Sequence, residues 1–366
     1  MNNYIRKVIS VNEDRYGCGY YRILWPDQII SSENPDIEIR NSQSLVTTPV
    51  FYEGVDILRI QKMSHDSHLQ YLKWFEKEVK SKSPVRIVYE ADDIILSEDM
   101  PVYNQTRYWF KDNRDSIIEI MKNFCDEMTV TTKTLADYYI DKTGLDNINV
   151  IPNYVPKFWM DRFFSPHKMS ERYKKFRRKP RILFTSGASH FDHQNLNGGS
   201  DDFSHIIEDV IKTVDDFEWI FLSCCPPKLK EFEKNGKIKV FKFKNIYKYP
   251  YFLDSLEPLM IIAPLAKNIF NECKSDIKLK ESNALGIPCA LQNLEPYKHA
   301  PFKFNTGNEM IDLVKKILKD KSTYIKYCRQ AYSSAQKDWL ENEENVGKFL
   351  KCYMKTDNLP EENNAY

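Results

Sequence analysis

The feature that most constrains the fold of this chain is an alternation of strand and helix patterns that occurs twice. In the first half, a β-branched run such as Val85 to Tyr89 alternates with helical spacing such as Ser116 to Phe124. The second half restarts the alternation at Arg181 to Thr185. Strands that alternate with helices predict a parallel sheet with helices on both faces. Because 366 residues exceed what one hydrophobic core usually serves, we expect two α/β domains.

The alternation breaks between Pro156 and Pro180, where seven cations lie between Arg172 and Arg181. We interpret this stretch as the interdomain connection. We therefore predict an N-terminal domain at residues 1–165 and a C-terminal domain at residues 166–339. Residues 340–366 form a final segment that can pack back on the N-terminal domain.

Composition narrows the class of protein. The 53 Lys and Arg balance 52 Asp and Glu, so the overall charge does not indicate a nucleic-acid or membrane partner. The eight cysteines include no CxxC pair, which argues against a zinc site and favours free thiols in a reducing compartment. No stretch approaches the roughly 20 apolar residues of a membrane span, so we expect a cytoplasmic protein. The abundance of Lys, Asn, Ile and Tyr is typical of an AT-rich bacterial or phage genome, in which case the compartment is the host cytoplasm.

Two loops of the first half follow predicted strands, where open parallel sheets bind their ligands. The first loop runs from Gly17 through Gly19 to Arg22, and its glycines let backbone amides approach a ligand. The second loop is Glu90-Ala91-Asp92-Asp93, whose carboxylates suit orienting or deprotonating a hydroxyl. A tight turn and a helix N-cap with solvated charge remain the alternatives for these two loops.

Two loops of the second half also follow predicted strands. The segment Ser186-Gly187-Ala188-Ser189-His190 combines small residues and hydroxyls that suit a phosphate. Farther on, Lys274, Lys278 and Glu281 share one helix face because they are spaced by four and three residues. Two cations near a helix N-terminus suit a diphosphate, and a carboxylate one turn later suits ribose hydroxyls. A solvated helix with salt bridges is the alternative.

This last segment resembles the donor-binding signature of GT-B glycosyltransferases of the retaining, bacterial and phage type. In that family a P-L-x-x-x-x-F-N loop precedes K-S-x-x-K-x-x-E-x-x-A-L-G-x-P. The matching positions are Pro264, Leu265, Phe270, Asn271, Lys274, Ser275, Lys278, Glu281, Ala284, Leu285, Gly286 and Pro288. The E-x7-E spacing of many relatives is not kept, because Glu272 and Glu281 are nine apart. Val150-Ile151-Pro152-Asn153 is similar to the sequence that closes the family's first domain.

The resemblance implies two facing Rossmann-like domains with a cleft between them and C-terminal helices that cross back to the first domain. It also implies sugar transfer from a nucleotide-sugar substrate, most simply a UDP-sugar, with Glu281 on the ribose and a lysine on the departing diphosphate. We predict that the reaction needs no metal or cofactor. The predicted donor-binding residues are Gly17, Gly19, Arg22, Ser186, Gly187, His190, Phe270, Asn271, Lys274, Ser275, Lys278 and Glu281. The predicted catalytic residues are Asp92, Asp93 and Lys278, and the predicted acceptor-binding residues are Tyr20, Tyr21, Glu90 and Asp92.

The acceptor is the least constrained part of the prediction. Besides the run from Arg172 to Arg181, cations between Lys237 and Lys248 alternate with aromatic residues, a pattern that suits a nucleic-acid backbone and stacked bases. Tailed phages encode transferases that glycosylate hydroxymethylated cytosine, and we expect 5-hydroxymethylcytosine in double-stranded phage DNA as the acceptor. The alternatives are a glycan in surface-polysaccharide synthesis, an epimerase on the same fold, and a non-catalytic nucleotide-sugar-binding protein.

Overall fold

Two six-stranded sheets, one from each half of the chain, form the framework of the protein. All neighbouring strands in both sheets are parallel, and this confirms the predicted α/β class. The structure is a computed structural model and describes residues 5–159, 162–185, 187–192 and 201–354. No helix in these ranges is both long and apolar enough to cross a bilayer.

The first sheet has the strand order β2-β1-β3-β4-β5-β6. Strand β2 lies on one side of β1, and β3 and all later strands of this sheet lie on the other side. The strand order therefore changes direction at β1, and such a switch point favours a ligand crevice at the carboxyl ends of the strands. The strands are β1 (Arg6–Val11), β2 (Ile37–Ser42), β3 (Ile57–Gln61), β4 (Arg86–Ala91), β5 (Glu127–Val130) and β6 (Ile148–Val150). The α-helices of this half are α1 (Gly17–Gly19), α2 (Trp25–Glu33), α3 (Asp66–Phe75), α4 (Arg107–Phe110), α5 (Arg114–Asn123) and α6 (Lys133–Thr143).

The second sheet has the order β12-β11-β10-β7-β8-β9, and its switch point lies between β7 and β10. The strands are β7 (Arg181–Phe184), β8 (Glu218–Leu222), β9 (Ile238–Phe241), β10 (Met260–Ala263), β11 (Cys289–Gln292) and β12 (Lys303–Phe304). The α-helices are α7 (Pro166–Phe176), α8 (Ile207–Lys212), α9 (Lys230–Lys234), α10 (Tyr249–Ser255), α11 (Ile269–Glu272), α12 (Ile277–Ala284), α13 (Gly307–Ile317), α14 (Lys321–Ala335) and α15 (Glu343–Tyr353).

The stretch that we predicted to be an interdomain connection contains a helix. Helix α7 begins after Ser165, whose side chain accepts a hydrogen bond from the Lys168 amide. Met169 and Tyr173, four residues apart, are buried in the core of the second half. The cations of this stretch thus accompany a narrow apolar stripe that packs α7 on the second half of the chain.

The C-terminal helix α15 packs on the first half of the chain, as the predicted fold class requires. Phe349 and Tyr353 share one buried cluster with Val8 of β1 and Trp25 of α2. The Tyr353 hydroxyl accepts a hydrogen bond from Arg59 Nη1 at 2.7 Å. The apolar cluster around β1 and α2 is therefore completed by residues more than 300 positions away in sequence.

A fully buried charge network lies under the carboxyl ends of β3 and β4. Arg22 Nε lies 2.7 Å from Glu90 Oε1, and Arg59 Nη2 lies 3.1 Å from Glu90 Oε2. Arg22 and Glu90 are 0% exposed, and Arg59 is 1% exposed. Buried charges lack hydration and need an opposite charge nearby. Here the Glu90 carboxylate provides that charge for two guanidinium groups.

We predict that Glu90→Gln lowers the free energy of unfolding by about 3 kcal/mol or more, because buried Arg22 loses its paired carboxylate and buried Arg59 keeps Asp27, at 3.5 Å, but loses Glu90. Denaturant unfolding measures this change. The matched control is Glu53→Gln at an exposed position, for which we expect a change within about 0.5 kcal/mol. Equal stability of the two variants would contradict the assigned role of Glu90.

Candidate functional site

A pocket lies between the two sheets, at the carboxyl ends of β1 and β4 on one side and of β7 and β10 on the other. Both switch points therefore contribute to one cleft. The residues that line it are Gly17, Cys18, Tyr21, Asp92, Asp93, Asn153, His190, Ala263, Pro264, Leu265, Lys274, Ser275, Ile277, Lys278, Glu281 and Tyr297.

Helix α12 brings a cation and a carboxylate into this pocket. Lys278 Nζ lies 3.1 Å from Glu281 Oε2. The other carboxylate oxygen, Oε1, accepts a hydrogen bond of 2.9 Å from the Tyr21 hydroxyl of the first half. Burial favours the neutral amine, but the Glu281 carboxylate holds the pKa of Lys278 above its usual range. Lys278 is therefore a fixed positive charge at this wall of the pocket.

Lys274 faces the first half of the chain from the turn before α12. Its ammonium lies 3.8 Å from Asp93 Oδ2 and 4.4 Å from the centre of the Phe270 ring. Next to it, the Ser275 hydroxyl accepts a hydrogen bond of 2.9 Å from Asn153 Nδ2. The structure thus brings Lys274, Ser275, Lys278 and Glu281 together at the pocket. The prediction that Lys274 shares a helix face with Lys278 and Glu281 was wrong, because α12 begins only at Ile277.

The two aspartates after β4 have different environments. Asp92 lies 2.5 Å from Lys62 Nζ. Burial opposes its ionisation, but Lys62 outweighs burial and holds the pKa of Asp92 below its usual range. Burial raises the pKa of Asp93, whose nearest cation, Lys274, is farther away. Asp93 is therefore the better proton acceptor of the two.

His190 enters the pocket from the loop after β7. Its Nδ1 lies 2.6 Å from Asp202 Oδ2, and the Asp202 side chain is 2% exposed. Gly187, in the same loop, approaches Phe243, since a Cβ at position 187 would lie 3.8 Å from that ring. Ser186, which we also predicted to bind the donor, lies outside the described residues.

Several residues that we predicted to contact a ligand are instead buried and contact other parts of the protein. The structure corrects these predictions. Arg22 and Glu90 form the buried network beneath the pocket. Phe270 packs in the hydrophobic core of the first half. Asn271 is fully buried, and its Nδ2 donates to Asp202 Oδ1 at 2.6 Å. In the sequence these residues look like ligand-binding residues, because the sequence does not show that each one has a buried partner elsewhere in the protein.

In the glycine loop after β1, some residues line the pocket and others have structural contacts. Gly17 lines the pocket. At Gly19, a Cβ would lie 2.0 Å from the Asp14 carbonyl oxygen, and the Gly19 amide already donates to Asp14 Oδ1 at 3.0 Å. Tyr20 packs edge-on against Tyr247 of the second half, with ring centres 5.2 Å apart. Gly19 and Tyr20 thus have structural contacts in place of the predicted ligand contacts.

Sequence reasoning missed several residues of the site, among them Lys62, Asn153, Tyr297 and Asp202. Asn153 was noticed only as part of a similar motif, although it lines the pocket and binds Ser275. Lys62 is paired with Asp92, and Asp202 contacts His190, and no local pattern in the sequence points to either contact. An alignment of related chains would be the signal that reveals such pairs.

Comparison with solved structures places the arrangement in a known fold. HepE from Anabaena, in complex with UDP and glucose, superposes with a TM-score of 0.61 at 10% identity, covering 95% of this chain and 100% of HepE. The chain has the GT-B fold. An α,α-trehalose 6-phosphate synthase from Burkholderia multivorans gives a TM-score of 0.53 at 7% identity, covering 96% and 98%. A trehalose-6-phosphate structure from E. coli bound with UDP-2-fluoro glucose gives 0.58 at 9% identity, covering 95% and 98%.

The likeness lies in the fold and not in the sequence. No protein-family model matches the chain. No curated protein matches it either.

Proposed function

We propose that this chain is a glycosyltransferase that moves a sugar from a UDP-linked donor to a hydroxyl acceptor. The observation that carries the proposal is the pocket between two parallel sheets in which Lys274, Lys278 and Glu281 meet Asp93 and Tyr21 of the first half. The GT-B fold supports the same assignment, because the cleft of that fold lies between two such sheets.

The two lysines suit the diphosphate of the donor. Their side chains are only 18% and 23% exposed, so their charges act in a partly desolvated space. Asp93 and Glu281, their present partners, are available to other groups when an anion binds. Charge-assisted hydrogen bonds to phosphate are strong, so the two ammonium groups suit a diphosphate.

Glu281 suits the ribose. A carboxylate oxygen can accept two hydrogen bonds, so Oε1 and Oε2 each keep capacity beside Tyr21 and Lys278. UDP as the nucleotide is supported by the solved structures, since HepE has been crystallised with UDP-glucose and the E. coli protein with UDP-2-fluoro glucose.

The chemistry follows from the charges. Transfer breaks the anomeric C–O bond through an oxocarbenium-like state, and negative charge grows on the departing phosphate. Lys278 stabilises this charge electrostatically without giving up its proton, because its pKa lies above the usual range. Asp93, whose pKa burial raises, is the group suited to receive the proton of the acceptor hydroxyl. Asp92 stays paired with Lys62 and orients the loop.

We predict that Lys278→Ala weakens the binding of UDP about 10- to 100-fold, because one charge-assisted contact to the diphosphate is lost. Isothermal titration calorimetry measures the dissociation constant. The control is Lys82→Ala, at a lysine whose side chain is 65% exposed in the first half, for which affinity should not change. Equal affinity in all three proteins would remove Lys278 from the donor site.

As the acceptor we propose 5-hydroxymethylcytosine in double-stranded DNA. The segment after β9 supports this, because Lys242, Lys244 and Lys248 are exposed and alternate with Phe243 and Tyr247, each 46% exposed. Exposed cations suit a phosphate backbone and exposed rings suit bases. The target base must leave the duplex to reach the cleft.

The other basic stretch does not support a DNA acceptor. Arg172 is buried and lies 2.8 Å from Asp254. Lys174 and Arg181 likewise have carboxylate partners. Arg172 and Arg181 therefore have structural roles, and we base the proposal of a DNA acceptor on the segment after β9. Transfer to a surface polysaccharide is the competing reaction.

We expect the protein to glycosylate hydroxymethylcytosine-containing DNA from one member of a UDP-sugar panel, also in the presence of EDTA. Mass spectrometry of digested nucleosides identifies the product, and cytosine-containing DNA and a bacterial oligosaccharide are the comparison acceptors. Asp93→Asn should lower the rate about 100-fold or more through loss of the proton acceptor.

The other outcomes identify the alternatives. Product on the oligosaccharide alone would assign the enzyme to polysaccharide synthesis. An epimerised donor sugar would indicate an epimerase. A donor that binds but never turns over would indicate a non-catalytic binding protein.

A further inference from the structure

One buried carboxylate connects the pocket with the contact between the two halves of the chain. Asp202 Oδ2 faces His190 Nδ1 at 2.6 Å. Its other oxygen, Oδ1, accepts hydrogen bonds from the Tyr103 hydroxyl at 2.6 Å, the Ala266 amide at 2.7 Å and Asn271 Nδ2 at 2.6 Å. Asp202 was not among the predicted site residues.

The three donors at Oδ1 fix the orientation of the Asp202 carboxylate. Burial opposes ionisation, but the hydrogen bonds from His190 and Tyr103 hold the pKa of Asp202 below its usual range. The group is therefore a carboxylate that can only accept, and the nitrogen that faces it, Nδ1 of His190, must carry a hydrogen. The protein thus determines the tautomer of His190.

The second ring nitrogen of His190 remains available to a ligand. His190 lines the pocket, and its side chain is 16% exposed. With a hydrogen already on Nδ1, the ring can donate from Nε2 only as the doubly protonated imidazolium. An anion at Nε2 favours this form, because the ring then lies between two negative charges.

We propose that Asp202 is a positioning residue that holds His190 ready to become an imidazolium, which donates its Nε2–H to the diphosphate of the donor. This proposal rests on the proposed function, because it requires an anionic donor in the pocket. His190 adds a third, proton-dependent cation to Lys274 and Lys278. Donor binding is then coupled to uptake of a proton from solvent.

The other charged groups that face His190 do not replace Asp202. Asp93, across the pocket, acts on His190 through space, and its nearest cation is Lys274. Lys278 and Glu281 lie on the same wall of the pocket and compensate each other at 3.1 Å. Among these groups, Asp202 is the one within hydrogen-bonding distance of the His190 ring.

The same network includes one contact between the two halves of the chain. Tyr103 belongs to the first half and is 6% exposed, yet its hydroxyl also accepts hydrogen bonds from Asn268 and Asn271 of the second half. Without the Tyr103 hydroxyl, the Ala266 amide and Asn271 Nδ2 still hold Asp202 Oδ1 from the second half.

The test is the number of protons taken up when UDP-glucose binds, measured by calorimetry at pH 8.5 in buffers of different ionisation enthalpy. UDP-glucose is the probe because its phosphates do not titrate near this pH. A free imidazole, with a pKa of about 6.5, is almost wholly neutral there. We expect wild-type protein to take up at least about half a proton per site, and His190→Gln to take up close to none.

Asp202→Asn is the decisive variant. The three donors hold the amide oxygen at the position of Oδ1, so the amide NH2 faces Nδ1 and the ring must accept there. The imidazolium is then disfavoured, and we expect proton uptake to vanish and UDP-glucose to bind about 10- to 100-fold more weakly.

Tyr103→Phe is the matched control, because it removes one donor from the far oxygen of Asp202 and leaves the contact with His190. It should take up protons like wild type, and thermal unfolding checks that each variant is folded. Proton uptake by Asp202→Asn, or its loss in Tyr103→Phe, would overturn the role of Asp202. Binding of UDP-glucose by wild type without proton uptake would overturn this inference alone, whereas no binding at all would count against the proposed donor.

Discussion

The packing of α11 and the turn that follows it into the first half of the chain is the constraint on which the site depends. Phe270 and Cys273 belong to the second half, yet both are buried in the hydrophobic core of the first half. The Cys273 carbonyl oxygen also accepts a hydrogen bond of 2.9 Å from Thr132. Burial of a phenylalanine contributes roughly 1.5–3 kcal/mol. The segment that leads into α12 is therefore fixed by the opposite half.

This anchoring positions the charges of the cleft. Lys280 of α12 donates to the Asn153 carbonyl oxygen at 2.9 Å, and the Tyr21 hydroxyl donates to Glu281. Helix α12 is thus held by the first half at two residues. Precise placement matters in an electrostatic site, because charges that are already in position cost no reorganisation when a ligand binds.

The charges in the cleft are arranged as pairs of one lysine and one acid. The pairs are Lys62 with Asp92, Lys274 with Asp93, and Lys278 with Glu281. Their separations of 2.5, 3.8 and 3.1 Å rank how tightly each acid is held. The loosest pair is the one we assign to catalysis. A carboxylate that is only weakly neutralised is the one whose protonation can change during a reaction.

Much of the fold and part of the site could be predicted from sequence, for physical reasons. The alternation of strands and helices is a local pattern, so the two parallel sheets were predictable. Lys278 and Glu281 were predictable as a pair because helix periodicity puts them on one face of α12, whereas Lys274 precedes the helix and reaches the same pocket from the turn. Arg22 and Glu90 were misassigned because a charge near a strand end looks exposed until its partner is known. Asp202 and Tyr103 left no local signal, since their contact joins residues 99 positions apart.

The most direct test of the central claim, that this cleft binds the diphosphate of a nucleotide sugar, is a crystal structure of the protein with UDP. The account predicts the diphosphate between the two halves, with phosphate oxygens about 3 Å from Lys278 Nζ and the ribose hydroxyls on Glu281. A nucleotide bound elsewhere on the protein, with Lys278 still paired only to Glu281, would contradict it.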